Sequence, residues 1–184
     1  PSSDALRNAD EFWSKQGISL SKKEFIACFF GTIGRQFELK TLIDAAKILE
    51  AAKEPIRFII CGDGDHLLHY KALASDVNNI MFTGWIGEAE IWQLMRLASV
   101  GLAPYENNRN FIYHLPNKII EYFSAGLPVV SSLEGYLNNL LLRENCGLSY
   151  APGDAQGLAE QLLRLLEDPP KREILSHNAY QLFS

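Results

Sequence analysis

The sequence has no excess of basic residues and no long apolar run. Its 184 residues include 17 Lys and Arg against 22 Asp and Glu, a net charge of −5. This balance argues against sequence-independent nucleic-acid binding, which depends on the neutralisation of phosphates by basic side chains. No apolar run approaches the ~20 residues that a membrane-spanning helix needs. A composition with 47% hydrophobic and 21% charged residues is instead typical of one globular domain.

Cysteine and histidine are also scarce. The three cysteines show no metal-ligand spacing and cannot all pair, and Cys28 and Cys61 lie within or beside apolar runs. We therefore expect buried, reduced thiols in a cytoplasmic protein. His66 and His69 have helical i, i+3 spacing without an evident carboxylate or cysteine partner, so the sequence predicts no bound metal. No signal peptide opens the chain, and its start at Pro1 rather than Met favours a segment of a longer protein.

Apolar strands alternate with helices along the chain. Six strands are predicted from short apolar runs at residues 25–30, 56–61, 80–82, 100–103, 127–130 and 148–150. Such alternation is typical of an α/β, Rossmann-like, doubly wound sheet of about six parallel strands with helices on both faces. An amphipathic helix over residues 4–16 and a Ser/Lys-rich connector come first. The predicted units are thus residues 1–23, the helix and connector, and residues 24–184, the Rossmann-like domain.

The second half of the chain carries three further local signals. Residues 105–114 form a polar segment after the fourth strand and are predicted to be a loop. Asp154 precedes a segment with leucines at helical spacing and can cap that helix. Pro169 and Pro170 are predicted to separate this helix from a last one near the C-terminus.

Glycines follow three of the predicted strands, at the strand ends where ligands of such sheets bind. Gly31 and Gly34 follow the first strand, Gly62 and Gly64 the second, and Gly84 the third. The second pair lacks the third glycine of a dinucleotide-binding fingerprint, and no acidic residue ends the next strand, so NAD binding is disfavoured. Tight turns alone would explain any one of these glycines, but less well their occurrence at three consecutive strand ends.

The stretch LPNKIIEYFSAGLPVV, residues 115–130, predicts a helix followed by a buried strand. Pro116 suits the first helical position, because its missing N–H would have no partner there. Ile119, Ile120 and Phe123 are predicted to form the apolar side that faces the core.

Lys118 and Glu121 lie in the first turns of this helix. A helix N-terminus offers free N–H groups and a positive dipole end, so together with a lysine and a carboxylate it can bind a phosphate and a sugar hydroxyl. An ordinary alternative stays open, in which both side chains are solvated surface charges or pair with each other across three positions.

Taken in order, six segments resemble the C-terminal, donor-binding domain of GT-B glycosyltransferases, specifically the retaining family 4 group (group 1). They are FFGTIGRQFELKTLIDAAKIL, RFIICGDGD, NIMFTGWIGEAEIWQLM, VGLAPY, LPNKIIEYFSAGLPVVSS and NCGLSYAPGDAQGLAEQLLRLLEDP. The resemblance implies a domain that binds a nucleoside-diphosphate sugar, for which a UDP-sugar is favoured over a GDP-sugar, and that needs neither cofactor nor metal. It also implies sugar transfer with retained configuration to a saccharide or lipid-linked acceptor, held by a separate N-terminal domain.

The resemblance assigns roles to individual residues. Glu121 matches the second glutamate of the family's E-x7-E motif and would accept hydrogen bonds from the ribose hydroxyls. Tyr113 stands where the first glutamate belongs, so the catalytic residue is unknown. Thr32 stands where an arginine is usual, which leaves Arg35 and Lys118 as the cations for the diphosphate.

The remaining members of the expected donor site lie at the same strand ends and at the helix start. They are Gly31 and Gly34, whose loop would approach the diphosphate, Asn117 at the helix N-terminus, Trp85 and Ile86 in the loop that contacts the base, and His114 beside the helix start.

The P-N/S-K-x-x-E-Y form of the motif resembles a subgroup of bacterial transferases that build surface polysaccharides or glycoconjugates. For such a full-length protein we expect a cytoplasmic location with peripheral association at the inner face of the membrane. Two alternatives stay open, half of a non-hydrolysing nucleotide-sugar epimerase and a stand-alone nucleotide-sugar-binding module. We expect the isolated chain to be inactive in sugar transfer, because catalysis needs donor and acceptor in one closed cleft.

Overall fold

Six parallel strands form a single sheet in the computed structural model, which describes residues 1–18 and 24–184. The strands are β1 (Phe25–Phe30), β2 (Ile56–Cys61), β3 (Ile80–Gly84), β4 (Val100–Ala103), β5 (Val129–Ser131) and β6 (Gly147–Ser149). Their order across the sheet is β3-β2-β1-β4-β5-β6. The predicted Rossmann-like sheet of six parallel strands is therefore confirmed.

Helices surround this sheet. In the described residues they are α1 (Ser3–Lys15), α2 (Leu39–Ala51), α3 (Leu67–Leu73), α4 (Glu88–Leu97), α5 (Arg109–Ile112), α6 (Asn117–Ser124), α7 (Tyr136–Glu144), α8 (Ala155–Glu167) and α9 (Pro169–Phe183). No helix in residues 1–18 and 24–184 is both long and apolar enough to cross a membrane.

Several local predictions can be checked against these boundaries. Asp154 caps α8 as predicted, because its carboxylate accepts a hydrogen bond of 2.8 Å from the N–H of Gly157. The prolines at 169 and 170 begin α9 instead of separating it from α8, since the first helical positions need no N–H donor. The polar segment 105–114, predicted to be a loop, contains the short helix α5, whose N-cap is Asn108.

The N-terminal helix shares the core of the sheet. Trp13 is fully buried, and its indole N–H donates a hydrogen bond of 2.9 Å to the carbonyl of Glu90 at the start of α4. The side chain of Ile18 is buried in the same core. The rest of the predicted connector, residues 19–23, lies outside the described residues.

The three cysteines are buried and unpaired, as the sequence predicted. Burial raises the pKa of the Cys61 thiol to about 12 and that of Cys146 to about 11. These groups therefore stay protonated at neutral pH and act as apolar core residues.

The strand order reverses between β1 and β4, and the pairing between these two strands is short. They pair only through Ala27 with Val100 and Cys28 with Gly101, whereas β1 pairs with β2 as far as Phe30. In open parallel sheets, ligands bind at the carboxyl ends of the strands at such a reversal. The candidate site is therefore expected at the carboxyl ends of the strands around β1.

Candidate functional site

A cavity of about 230 Å³ lies at the carboxyl ends of β1, β2 and β3. Its walls come from the turns after these strands and from α4, and the lining residues are Phe30, Gly31, Thr32, Cys61, Gly62, Asp63, Trp85, Ile86 and Ile91. The structure thus brings together three of the residues singled out in the sequence, Gly31, Trp85 and Ile86. Ile86 is buried, whereas the Trp85 side chain is 78% exposed at the rim.

The Gly62 and Gly64 turns hold two neighbouring loops against each other. The N–H of Gly31 donates to the carbonyl of Cys61 at 3.0 Å, and the N–H of Gly62 donates to that of Gly84 at 2.7 Å. A Cβ on Gly62 would overlap the carbonyl oxygen of Gly31, and a Cβ on Gly64 would overlap that of Ile33. Both glycines have positive φ. Close backbone packing therefore accounts for this pair without a dinucleotide.

Helix α6 turns four side chains inward, and Ile120 is not one of them. The buried residues are Lys118, Ile119, Tyr122 and Phe123, while Ile120 is 42% exposed. The prediction that Ile120 faces the core is therefore wrong. On a helix with 3.6 residues per turn, Ile120 and Glu121 lie on the exposed side of α6. Lys118 occupies the buried position that was predicted for Ile120. Pro116 is the N-cap of α6 instead of its first helical residue.

Lys118 is 8% exposed and points into a group of aromatic rings. Its Nζ lies 4.5 Å from the ring centre of Phe30, 4.6 Å from that of Phe29 and 5.6 Å from that of Phe37. A Cβ on Gly31 would lie only 2.7 Å from this Nζ, so the absence of a side chain there admits the ammonium group. We call Lys118 and these three phenylalanines the lysine cage.

The ammonium group in the lysine cage is a buried charge. Lys118 forms no ion pair with another described residue. Burial lowers the pKa of Lys118 to about 8, and the charge of Glu121 opposes this shift. Gly31, which lies beside this ammonium group, lines the cavity at the carboxyl ends of β1, β2 and β3.

The carboxylate of Glu121 lies on the exposed side of α6. It is close enough to affect both the pKa of Lys118 and that of Tyr105, which burial raises to about 12. It does not form an ion pair with Lys118, so the alternative in which the two side chains neutralise each other is not observed.

Arg35 and Gly34 border a different cavity. They line a space of about 480 Å³ on the other side of the first loop, together with Asp65 and His66. Thr32 lines both spaces. The structure therefore does not place the exposed Arg35 in the wall of the cavity that contains Gly31.

Three further residues lie around the start of α6. Asn117 is exposed as its first residue, and His114 is exposed in the preceding turn, where its N–H donates to the carbonyl of Phe111. Tyr113, at the position of the missing first glutamate, is 68% exposed. Groups of three or more histidine, cysteine, aspartate or glutamate side chains that could hold a metal ion do not occur in the described part of the chain.

Tyr122 and Gly101 were not singled out in the sequence. The hydroxyl of Tyr122 lies 3.0 Å from the carbonyl oxygen of Leu102 and 3.2 Å from that of Cys28. A Cβ on Gly101 would lie 2.6 Å from atoms of the tyrosine ring, so the ring rests on the bare backbone of β4. A glycine inside a predicted strand is the signal that could have indicated this close approach.

Asn107 is a second residue that sequence reasoning missed. Its side-chain amide donates to the carbonyl of Ser132 at 3.1 Å and accepts from the N–H of Glu134 at 2.8 Å. The segment before it is tied to the first loop, since Glu106 donates to Gln36 through the backbone at 3.0 Å. The loops after β1, β4 and β5 are thereby linked around the start of α6.

Comparisons with known proteins bear on the family and on the fold. The family model of glycosyl transferases group 1 matches residues 11–182. The 2-deoxystreptamine N-acetyl-D-glucosaminyltransferase of Niallia circulans is 24% identical over 159 residues, which cover 85% of this chain and 39% of the relative. The chain spans between 36% and 39% of the length of this and two further curated relatives.

Solved glycosyltransferase structures share the fold. The C-terminal domain of the group 1 protein LpcC from Francisella tularensis has a TM-score of 0.74 at 20% identity, over 95% of this chain and 90% of that chain. Anabaena Alr3699/HepE, in complex with UDP and glucose, has a TM-score of 0.72 at 23% identity, over 100% of this chain and 48% of that chain. These likenesses support the fold class that the sequence predicted.

Proposed function

The chain belongs to the family of glycosyl transferases group 1, and on that premise we propose that it is the nucleotide-sugar (donor) binding domain of a retaining glycosyltransferase. The observation that carries the proposal is the lysine cage. Lys118 keeps a charged group in an apolar environment, which is costly unless a ligand supplies the opposite charge. Gly31, beside this cage, lines the cavity at the carboxyl ends of the strands, where ligands bind in this class of sheet.

Each part of the donor is assigned to a part of the crevice. The diphosphate lies between Lys118, the loop at Gly31 and Gly34, and the free N–H groups at Asn117, and Arg35 approaches it from the neighbouring cavity.

The nucleoside occupies the rest of the crevice. Glu121 accepts hydrogen bonds from the ribose hydroxyls, because an ionised carboxylate can accept from two adjacent hydroxyls. The base lies in the cavity between Trp85 and Ile86, and His114 makes a further contact beside the start of α6. A UDP-sugar is the proposed donor, and the relative solved with UDP and glucose supports this choice.

The activity of the full-length protein extends beyond this chain. We propose a hexosyltransferase of bacterial surface polysaccharide or glycoconjugate synthesis, located in the cytoplasm and associated peripherally with the inner face of the membrane. Its acceptor, a saccharide or a lipid-linked sugar, is bound by a part of the protein that lies outside this chain. The chain by itself binds the donor without transferring the sugar, because transfer requires both substrates in one cleft.

Calorimetric titration with UDP and with uridine tests the donor assignment. Lys118→Met keeps most of the aliphatic length and removes the charge, and it should weaken UDP binding by about 1.5–3 kcal/mol, the range of hydrogen bonds that involve charged groups. Uridine binding should stay nearly unchanged.

The matched control is Lys47→Met, because Lys47 is a half-buried lysine on α2 whose Nζ lies 3.2 Å from a carboxylate oxygen of Asp76. This variant should bind UDP like the wild type. Equal weakening of UDP and uridine by Lys118→Met, or no weakening of either, would contradict the assignment. Titration with GDP and ADP identifies the base.

A further inference from the structure

Tyr122 connects β1 and β4 near the end of their pairing. Its hydroxyl lies between the carbonyl oxygens of Cys28 and Leu102, one on each strand, directly where strand pairing ends. Burial raises the pKa of Tyr122 well above its ordinary value, so the hydroxyl stays protonated and remains a donor. The single proton of this hydroxyl can be donated to either carbonyl oxygen, so Tyr122 ties α6 to both strands.

The ring of Tyr122 connects this polar contact to the lysine cage. It packs edge-on against Phe30 with ring centres 5.1 Å apart, and Phe30 is the cage ring nearest to the Lys118 ammonium group. On the other side the ring rests on the backbone of Gly101, where a Cβ would leave it no room. Tyr122 and Lys118 are four positions apart and lie on the same face of α6.

We propose that Tyr122 is a positioning residue for diphosphate binding that acts through Lys118. Its hydroxyl fixes the inner face of α6 at the split in the sheet, and its ring fixes the wall of the cage, so the ammonium group is held at the crevice before the ligand arrives. This proposal rests on the donor-binding function proposed above. It adds a residue that is fully buried and that touches no part of the proposed ligand.

Tyr122→Phe tests the proposal, because it removes the hydroxyl and keeps the ring. The variant should bind UDP about threefold to tenfold more weakly than the wild type, the effect of losing one neutral hydrogen bond. In a Lys118→Met background the same substitution should have no further effect on UDP affinity, because the group through which Tyr122 acts is gone. A general loosening of the fold would instead weaken binding in both backgrounds.

A control is Tyr150→Phe, which removes the buried hydroxyl of another tyrosine just after β6, at the edge of the sheet, where this hydroxyl has no hydrogen-bond partner among the described residues. It should bind UDP like the wild type. An unchanged UDP affinity of Tyr122→Phe, or an equal loss in both Lys118 backgrounds, would overturn the positioning role alone. A Tyr122→Phe chain that is unfolded by circular dichroism would overturn it too, since the hydroxyl would then be required for folding. A wild-type chain that binds no nucleoside diphosphate would overturn the donor-binding function as well.

Discussion

The loops after β1 and β2 and the start of α6 meet at Gly31 and Lys118 but are built from different parts. The loops are held by backbone hydrogen bonds and by glycines that allow two loop backbones to touch, as at Gly62 and Gly31. Helix α6 instead contributes side chains, with Lys118 and Tyr122 buried and Glu121 exposed. A substitution in the loops should therefore damage the fold, whereas one in α6 should damage binding and leave the fold intact.

The largest effect is expected at Gly62. Gly62→Ala should lower the free energy of unfolding by about 3 kcal/mol or more, because the new Cβ overlaps the carbonyl oxygen of Gly31 and the residue has positive φ. Urea denaturation measures the loss. Gly153→Ala is the matched control, since Gly153 also has positive φ but has no atom within 4 Å of an added Cβ. Its cost should be about 1 kcal/mol, and equal costs for both variants would contradict the packing account.

Glu121→Gln should leave stability unchanged and weaken ribonucleotide binding. The residue is exposed, so its effect on unfolding should stay within about 0.5 kcal/mol. If the carboxylate binds the ribose, the variant should lose about 1.5–3 kcal/mol of binding free energy for UDP. It should lose little for an analogue of UDP that lacks the 2′- and 3′-hydroxyls. Calorimetry with the two nucleotides on wild type and variant gives the coupling energy. A coupling energy near zero would show that Glu121 does not contact the ribose.

Lys118→Met should stabilise the unliganded chain at pH 7. The buried ammonium group costs free energy, and the cation–π contacts recover only part of it, so a gain of about 1–2 kcal/mol is expected. The pKa of Lys118 is about 8 in the folded chain against an ordinary 10.5. The free-energy cost of the buried charge is thus absent above pH 10.5, grows as the pH falls from 10.5 to 8, and is fully present below 8.

The pH dependence supplies the check on that prediction. The stability gap between Lys118→Met and the wild type should close as the pH rises from 8 toward 10.5, because the wild-type lysine is then neutral in both states. Urea midpoints of the two chains across this range measure the gap. A wild type that is more stable than the variant at pH 7 would mean that the ammonium group stabilises the empty fold.

The strands of the sheet could be predicted because the sequence features that mark them are local. β1, β2 and β4 begin and end at the predicted residues, since glycine, proline or a change of hydrophobic period marks each boundary. The inner face of α6 was read incorrectly for a physical reason. Ile119, Ile120 and Phe123 fit a buried stripe by spacing, and a buried lysine is rare enough that Lys118 was not expected inside.

The contacts that shape the site are of long range in sequence. The Tyr122 hydroxyl and the Cys28 carbonyl are 94 positions apart, and Asn107 and Ser132 are 25 apart. No periodicity predicts such contacts, although Gly101 inside an apolar strand indicates a close approach. The predicted helix N-terminus and then the resemblance to the family both pointed to Lys118 and Glu121, but the cage of phenylalanines around Lys118 became apparent only from the structure.

Proton uptake on UDP binding at pH 8 tests the central claim, that Lys118 is the receptor for the diphosphate. The pKa of Lys118 in the unliganded chain is about 8, and the negative charge of bound UDP should raise it. Calorimetry in two buffers of different ionisation enthalpy should therefore show net proton uptake on UDP binding. Uridine binding and the Lys118→Met variant should show none. UDP binding without proton uptake, or with equal uptake in the variant, would contradict the claim.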